Sequence, residues 1–207
     1  MAAAPIRILI ATGNAHKAVE FRQMLASDRL AWDDLAHHRD AQPVEETGKT
    51  FRENACLKAS GYATQFNTWA LADDSGLEVD ALNGSPGVVS ARWAELHNAG
   101  KGDAANNALL LKQLELVPDD RRTGRFVCEL ALSDPTGRIV LTARGTVEGT
   151  VLRAARGANG FGYDPLFFIP SLGMTTAELP SERKHEISHR GQALRVLRTL
   201  MSEAGLA

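Results

Sequence analysis

Apolar residues along this chain fall into short continuous runs separated by stretches with a helical period. Ile6-Arg7-Ile8-Leu9-Ile10-Ala11 predicts a buried first strand ending at Thr12-Gly13-Asn14. A helix is expected behind it from about His16, with Val19, Met24 and Leu25 facing inward. Strand, glycine turn and helix open an α/β unit. Residues 28–48 show no clear period. Thr50 and Glu53 have the spacing of a capping box, which predicts a helix to about Phe66. Trp69 to Ala72 is the next strand, delivering Asp73 and Asp74 at its carboxyl end before a turn at Ser75-Gly76. Leu77 to Leu82 alternates as another strand, followed by a turn over Asn83-Gly84-Ser85-Pro86-Gly87. Asp103 is the expected cap of a helix carrying Leu109, Leu110 and Leu114. Phe126 to Leu132 and Ile139 to Val147 flank Asp134-Pro135-Thr136-Gly137, the pattern of a hairpin. A last helix begins near Ser188, with Ala193, Leu197, Leu200 and Met201 on one face. Helices and strands alternate, so the class is α/β, and the hairpin argues against an all-parallel sheet.

The chain has 207 residues, enough for one large domain or two small lobes on a shared sheet. A net charge of -2 lacks the basic excess of a general nucleic-acid binder, so any phosphate site must be local. Cys56 and Cys128 have no CxxC partner and read as buried thiols of a reducing compartment. The start, Met1-Ala2-Ala3-Ala4-Pro5, is small and uncharged, and the apolar run behind it is too short for a signal core. No window approaches the roughly 18 apolar residues of a membrane span. A cytoplasmic protein without membrane or nucleic-acid partners is expected.

Five segments carry candidate chemistry. Ala72-Asp73-Asp74-Ser75-Gly76 sets adjacent acids together, with Glu78 and Asp80 close behind. Packed like charges repel, and a divalent cation or a protein base offsets this. Hard cations such as Mg²⁺ take carboxylate oxygens and bring phosphates with them. The plain alternative is a strand ending in a solvated acidic turn. Thr12-Gly13-Asn14-Ala15-His16-Lys17 leads into a helix start, where free N–H groups and the macrodipole favour a phosphate within reach of Lys17. An ordinary turn with a solvated lysine fits as well. Glu45-Glu46-Thr47-Gly48 is either an exposed loop or two further ligands for the cation of Asp73 and Asp74. Asn54 and Lys58 share a helix face. Gly157 to Pro165 interleaves three glycines with Phe161 and Tyr163. It offers a flat face for a base, with Gly162 for close approach and Asp164 either accepting from a base edge or locking the loop; a structural loop around a core aromatic is the alternative. Lys184-His185-Glu186-Ile187-Ser188-His189-Arg190 places cations before and at a helix start, opposing the macrodipole unless an anion or polar ligand is near. A solvated basic helix start is the alternative. His37 and His38 lack a third ligand and read as surface residues.

In order, these segments resemble one family, the inosine/xanthosine triphosphate pyrophosphatases. The resemblance runs from about Ile8 to Leu197 through Ala11-Thr12-Gly13-Asn14 with Lys17, Glu45 to Gly48, Glu53-Asn54-Ala55, Leu57-Lys58-Ala59, Ala72 to Leu77 and Ser90-Ala91-Arg92. It continues through Gly160 to Pro165, Ala177-Glu178-Leu179 and Ser188-His189-Arg190. His16, where the family often has Gly or Lys, and Trp93, where Tyr is common, depart from the pattern.

The resemblance implies a single domain over 1–207: an elongated central mixed β-sheet with flanking helices, two lobes around an active-site cleft, and a homodimer. It also implies splitting of ITP, dITP and XTP between the α and β phosphates, with Mg²⁺. Carried over, Thr12 to Lys17 and Lys58 hold the triphosphate, and Ser75 contacts substrate. Asp74 activates water, with Glu45, Glu46 and Asp73 beside it at the metal. Phe161 to Asp164, Lys184, His189 and Arg190 surround the base. A non-catalytic nucleotide sensor and a pyrophosphatase for modified pyrimidines are the alternatives; pyrophosphate release from dITP separates the first, and ITP, XTP, GTP and TTP side by side the second.

Overall fold

The computed structural model describes residues 5–25 and 27–206, without the side chains of Ala15 and His16. The Met1 to Ala4 start and those two side chains therefore lie outside the described residues. In chain order the elements are β1 (Ile6–Ile10), α1 (Ala15–Met24), β2 (Leu30–Asp34), α2 (Phe51–Phe66), β3 (Trp69–Val79), α3 (Trp93–Leu96) and α4 (Gly102–Gln113). They continue with β4 (Thr123–Ser133), β5 (Ile139–Val151), β6 (Phe167–Ile169), β7 (Met174–Thr175), α5 (Ser181–Ile187) and α6 (His189–Glu203). The strands form one sheet in the order β2-β1-β3-β4-β5-β6-β7. β1 runs parallel to β2 and β3, whereas β6 is antiparallel to β5 and β7. The fold is α/β with a mixed sheet, as the alternation and the hairpin require. Among the described residues no helix is long and apolar enough to cross a membrane.

The chain divides into two compact units, one of residues 1–74, 128–145 and 190–207, the other of 75–127 and 146–189. In the first unit β1 is buried on both faces, as a central parallel strand should be. Ile8 and Ile10 point to Ala18 and Phe21 of α1, to Leu25 just past its end, and to Ala193, Leu194, Leu197 and Met201 of α6. Leu9 and Ala11 alternate to the other face, against Ala55, Ala59, Tyr62 and Ala63 of α2. Each large side chain so buried contributes about 1.5–3 kcal/mol. Val19, expected inward, is exposed, because the helix phase is set by Ala18, Phe21 and Leu25 at spacings of three and four. The α2 capping box is present: Thr50 Oγ1 accepts from Glu53 N at 3.1 Å, and Glu53 Oε2 accepts from Thr50 N at 3.2 Å. Residues 28–48, without a clear period, contain β2 at their start.

The core of the second unit gathers Leu77 and Val79 of β3, Leu110 of α4 and its C-cap Leu114, and Phe126, Tyr163, Phe167 and Leu179. Buried Arg122 donates to the carbonyls of Val151, Leu114 and Leu152, so its polar atoms are satisfied without a carboxylate.

Three sequence expectations are corrected here. The acidic segment does not turn at Ser75-Gly76, since β3 runs unbroken from Trp69 to Val79. Gly76 serves a close approach instead: a Cβ there would meet Ser90 Oγ at 2.3 Å and Gly87 O at 2.7 Å. Asp103 does not cap α4; Lys101 holds that position without a side-chain bond, and Asp103 lies in the first turn. His189 and Arg190 open a helix as expected, but Lys184 and His185 before it belong to a separate helix, closing the last turn of α5, where positive charge suits the macrodipole. Of the two cysteines, Cys128 is buried and Cys56 only half-buried. Burial pushes the Cys128 thiol up to about 12.

Candidate active site

Asp73 and Asp74 follow one another on β3, so their side chains leave opposite faces of the strand. Both are buried, at 1% and 6% exposure, and each meets its own cation. Asp73 Oδ2 lies 2.9 Å from Lys17 Nζ and 3.3 Å from Arg190 Nη2. Arg190 Nη1 in turn reaches Glu20 Oε2 at 2.7 Å. Lys17 is brought there by the turn before α1. Thr12 Oγ1 accepts from Asn14 N at 3.2 Å, and Asn14 Oδ1 accepts from Lys17 N at 3.3 Å, closing the first turn of the helix. Gly13 is exposed, and a Cβ on it would meet nothing within 4 Å.

Asp74 belongs to a second group. Asn54 Nδ2 donates to its Oδ2 at 3.1 Å, and Lys58 Nζ lies 3.5 Å from its Oδ1. The same ammonium is 3.0 Å from Glu46 Oε2. Asn54 Oδ1 accepts from Gly48 N at 2.8 Å, so one amide ties the 45–48 loop to the acid. The four-residue spacing of Asn54 and Lys58 on α2 delivers both to one carboxylate. Glu45 is exposed and makes no hydrogen bond or ion pair among the described residues.

These surroundings split two identical residues. Burial alone would raise Asp73, but Lys17 and Arg190, with Lys58 behind them, outweigh it and hold the carboxyl well below the usual range. Burial dominates at Asp74 and raises its carboxyl above the usual range, despite Lys58 and the Asn54 bond. Burial would lower Lys58, and the charges of Asp73, Asp74 and Glu46 together raise it instead. Asp73 is a fixed anion, and Asp74 has the stronger affinity for a proton.

The four expected metal ligands are not assembled as one cluster. Among the described residues no three acids, histidines or cysteines stand together as a ready cation site. The reason is the strand alternation, which gives Asp73 to Lys17 and Arg190. The donor chemistry nevertheless fits Mg²⁺ at Glu46 and Asp74, whose oxygens lie within 3.5 Å of one ammonium. That ion is commonly held by one or two carboxylates, with substrate phosphates supplying further oxygens.

In the second unit, Phe161 to Asp164 form a tightly held loop. Asp164 is fully engaged: Oδ2 accepts from Phe161 N at 2.8 Å and from Lys184 Nζ, and Oδ1 accepts from Thr176 Oγ1 at 2.8 Å. Of the two roles open to it, these bonds are those of a loop lock. Lys184 Nζ also lies 5.1 Å from the Phe161 ring centroid. Tyr163 is buried, its hydroxyl donating to Ser90 O at 2.9 Å, which leaves half-buried Phe161 as the accessible ring. His189 stacks on Phe126 with centroids 4.8 Å apart. Ser75 is half-buried within β3. Arg190, grouped with the base residues by sequence, takes its place in the Asp73 group.

Sequence reasoning missed Glu20, Asn107 and Thr176, and gave Ser90, part of a matching stretch, no role of its own. Thr176 acts through a carboxylate contact with no motif; Glu20 is visible only as an acid one turn after Lys17.

The family model described as the Ham1 family matches residues 8–200. A dITP/XTP pyrophosphatase of Exiguobacterium sibiricum is 53% identical over 199 residues, covering 95% of this chain and 98% of its own. One of Listeria monocytogenes is 48% identical over 197 residues, covering 95% of each chain. Among solved structures, a HAM1 protein from Coxiella burnetii superposes with a TM-score of 0.87 at 40% identity, covering 96% of this chain and 99% of its own. The Staphylococcus aureus Ham1 protein gives 0.84 at 39% identity, over 96% and 99%.

Proposed function

This chain belongs to the Ham1 family, and we propose that it hydrolyses the deaminated purine nucleoside triphosphates ITP, dITP and XTP to monophosphate and pyrophosphate, clearing them from the nucleotide pool. The observation that carries the mechanism is Asp74, a buried carboxylate with raised proton affinity held between the Asn54 amide and the Lys58 ammonium. With Oδ2 oriented by Asn54, Oδ1 takes the proton of the attacking water. A general base is most effective with proton affinity raised towards the working pH. The Thr12 to Lys17 turn and Lys58 hold the triphosphate, Lys17 being positioned by Asp73. Backbone N–H groups of Ala15 and His16 at the start of α1 add donors for phosphate oxygens. Glu46 and Asp74, with Glu45 and Asp73 nearby in sequence, are the residues that would hold Mg²⁺, which would supply positive charge against the phosphate oxygens.

Phe161, Gly162, Tyr163 and Asp164, with Lys184 and His189, are the proposed surround of the base, and Ser75 a further substrate contact; Arg190 stays with Asp73 and Glu20. Hypoxanthine and xanthine carry an oxygen at C6, where adenine carries an amine. A donor such as Lys184 favours the oxygen and leaves adenine mismatched, the kind of contact that discriminates strongly. A homodimer and a cytoplasmic location belong to the same reading.

Product analysis on ITP, dITP, XTP, GTP, ATP and TTP, with and without Mg²⁺, tests it. Monophosphate and pyrophosphate are expected from the first three, only with the metal. Orthophosphate release, or no preference for the 6-oxo bases over ATP, contradicts the reading. Light scattering of the purified protein reads the dimer.

A further inference from the structure

Asp103 sits where a helix-capping acid is expected but two residues too deep to cap. Its Oδ2 instead accepts a hydrogen bond from Gly162 N at 2.6 Å, 59 residues on in the chain. One turn further along α4, Asn107 Nδ2 donates to Gly162 O at 2.9 Å. Both backbone groups of Gly162 are therefore held by one helix. Gly162 has φ of +64°, a conformation L side chains rarely adopt. A glycine so placed has much freedom to lose, and two bonds to a rigid helix select one state. Its neighbour Phe161 is pinned on the other side, its N–H donating to Asp164 and its carbonyl accepting from Asp164 N at 3.3 Å.

We propose that Asp103, seconded by Asn107, is a positioning residue that fixes Gly162 and so presents the Phe161 ring to the purine of the substrate. This rests on the function proposed above. Neither residue touches substrate; they act through the loop. Asp103 is exposed, so its removal leaves no buried charge behind.

Steady-state kinetics on dITP test the inference, with inorganic tripolyphosphate as a competitive inhibitor that has a phosphate tail and no base. For Asp103→Ala the KM for dITP is expected to rise about tenfold, the loss of one hydrogen bond to a carboxylate, with kcat within about twofold. The tripolyphosphate inhibition constant should stay at the wild-type value, since only base contacts are loosened. Asp103→Asn keeps an acceptor oxygen and should restore the KM, and Asn107→Ala should raise it in the same direction. Should Asp103→Ala fail to fold, the other two variants carry the same test.

An active wild type whose Asp103→Ala variant keeps its KM overturns the inference alone. So does equal weakening of dITP and tripolyphosphate, or an Asn variant no better than Ala. A wild type that releases no pyrophosphate from dITP overturns the functional reading and this inference with it.

Discussion

Asp73 and Asp74 are the same residue in adjacent positions, both buried, yet their proton affinities move in opposite directions. The difference is the count of cations each faces. Asp74→Asn keeps the size and the Asn54 neighbour but cannot take a proton. Its kcat should fall by roughly 10²–10⁴, the usual worth of a general base, with a melting temperature no lower than that of the wild type, since the charge it removes is disfavoured by burial. Near-normal turnover would remove Asp74 from the chemistry. Asn54 gives a finer test. Its bond stabilises the ionised acid, so Asn54→Ala raises an already raised Asp74 further. The acid limb of kcat/KM should then move to higher pH, because the ionised acid has lost a hydrogen bond. A limb that stays put or moves down would deny the contact. The acids, both lysines and the Asn54–Lys58 face were legible because they are local patterns. Which acid meets which lysine was not, since that depends on where α1 and α2 lie against the sheet.

At the level of elements, β3 is the informative case. Glycine beside serine after two acids reads as a turn, because glycine is the commonest way to turn a chain. Here it admits the segment 87–90: Leu77 N donates to Ser90 Oγ at 2.9 Å, and Ser90 Oγ donates to Gly87 O at 2.6 Å. A local reading cannot tell a glycine that turns from one that makes room. Gly76→Ala should lower stability by roughly 2–3 kcal/mol, as overpacking against backbone does. Gly13→Ala, which meets empty space, should cost almost nothing. Urea unfolding midpoints of the two variants read the contrast. Equal midpoints would mean that the 87–90 segment yields and that Gly76 has no steric role. The α2 capping box and the β4–β5 hairpin were read correctly, since both signals lie within a few residues. α5 was not: seven residues give too little period to separate it from the start of α6.

For the whole molecule, the expected α/β class with a mixed sheet followed from alternating apolar runs and one hairpin, whereas burial of charge could not be read from composition. A net charge of -2 describes an ordinary surface and conceals Asp73, Arg190 and Lys184, all under a tenth exposed. This charge should govern acid stability. The carboxyl of Asp73 is depressed in the folded chain, so its contribution is complete above the unfolded value near 4. It is lost as pH falls below that, through the folded value. Asp74 has the opposite sign: its folded value is raised, so acidification relieves a cost instead of creating one. Net acid sensitivity from this pair therefore belongs to Asp73. Asp73→Asn leaves Lys17 without its counter-charge and Arg190 with only part of its own. At pH 7 the loss should reach about 3–5 kcal/mol, as when one partner of a buried pair is removed. The gap between wild type and variant should narrow progressively below about pH 4, where Asp73 of the unfolded wild-type chain takes up a proton that the folded chain still refuses. Urea unfolding of both proteins from pH 7 down to pH 3 measures it. A gap of constant size across that range would mean that Asp73 stabilises by shape alone and that its cations find other partners.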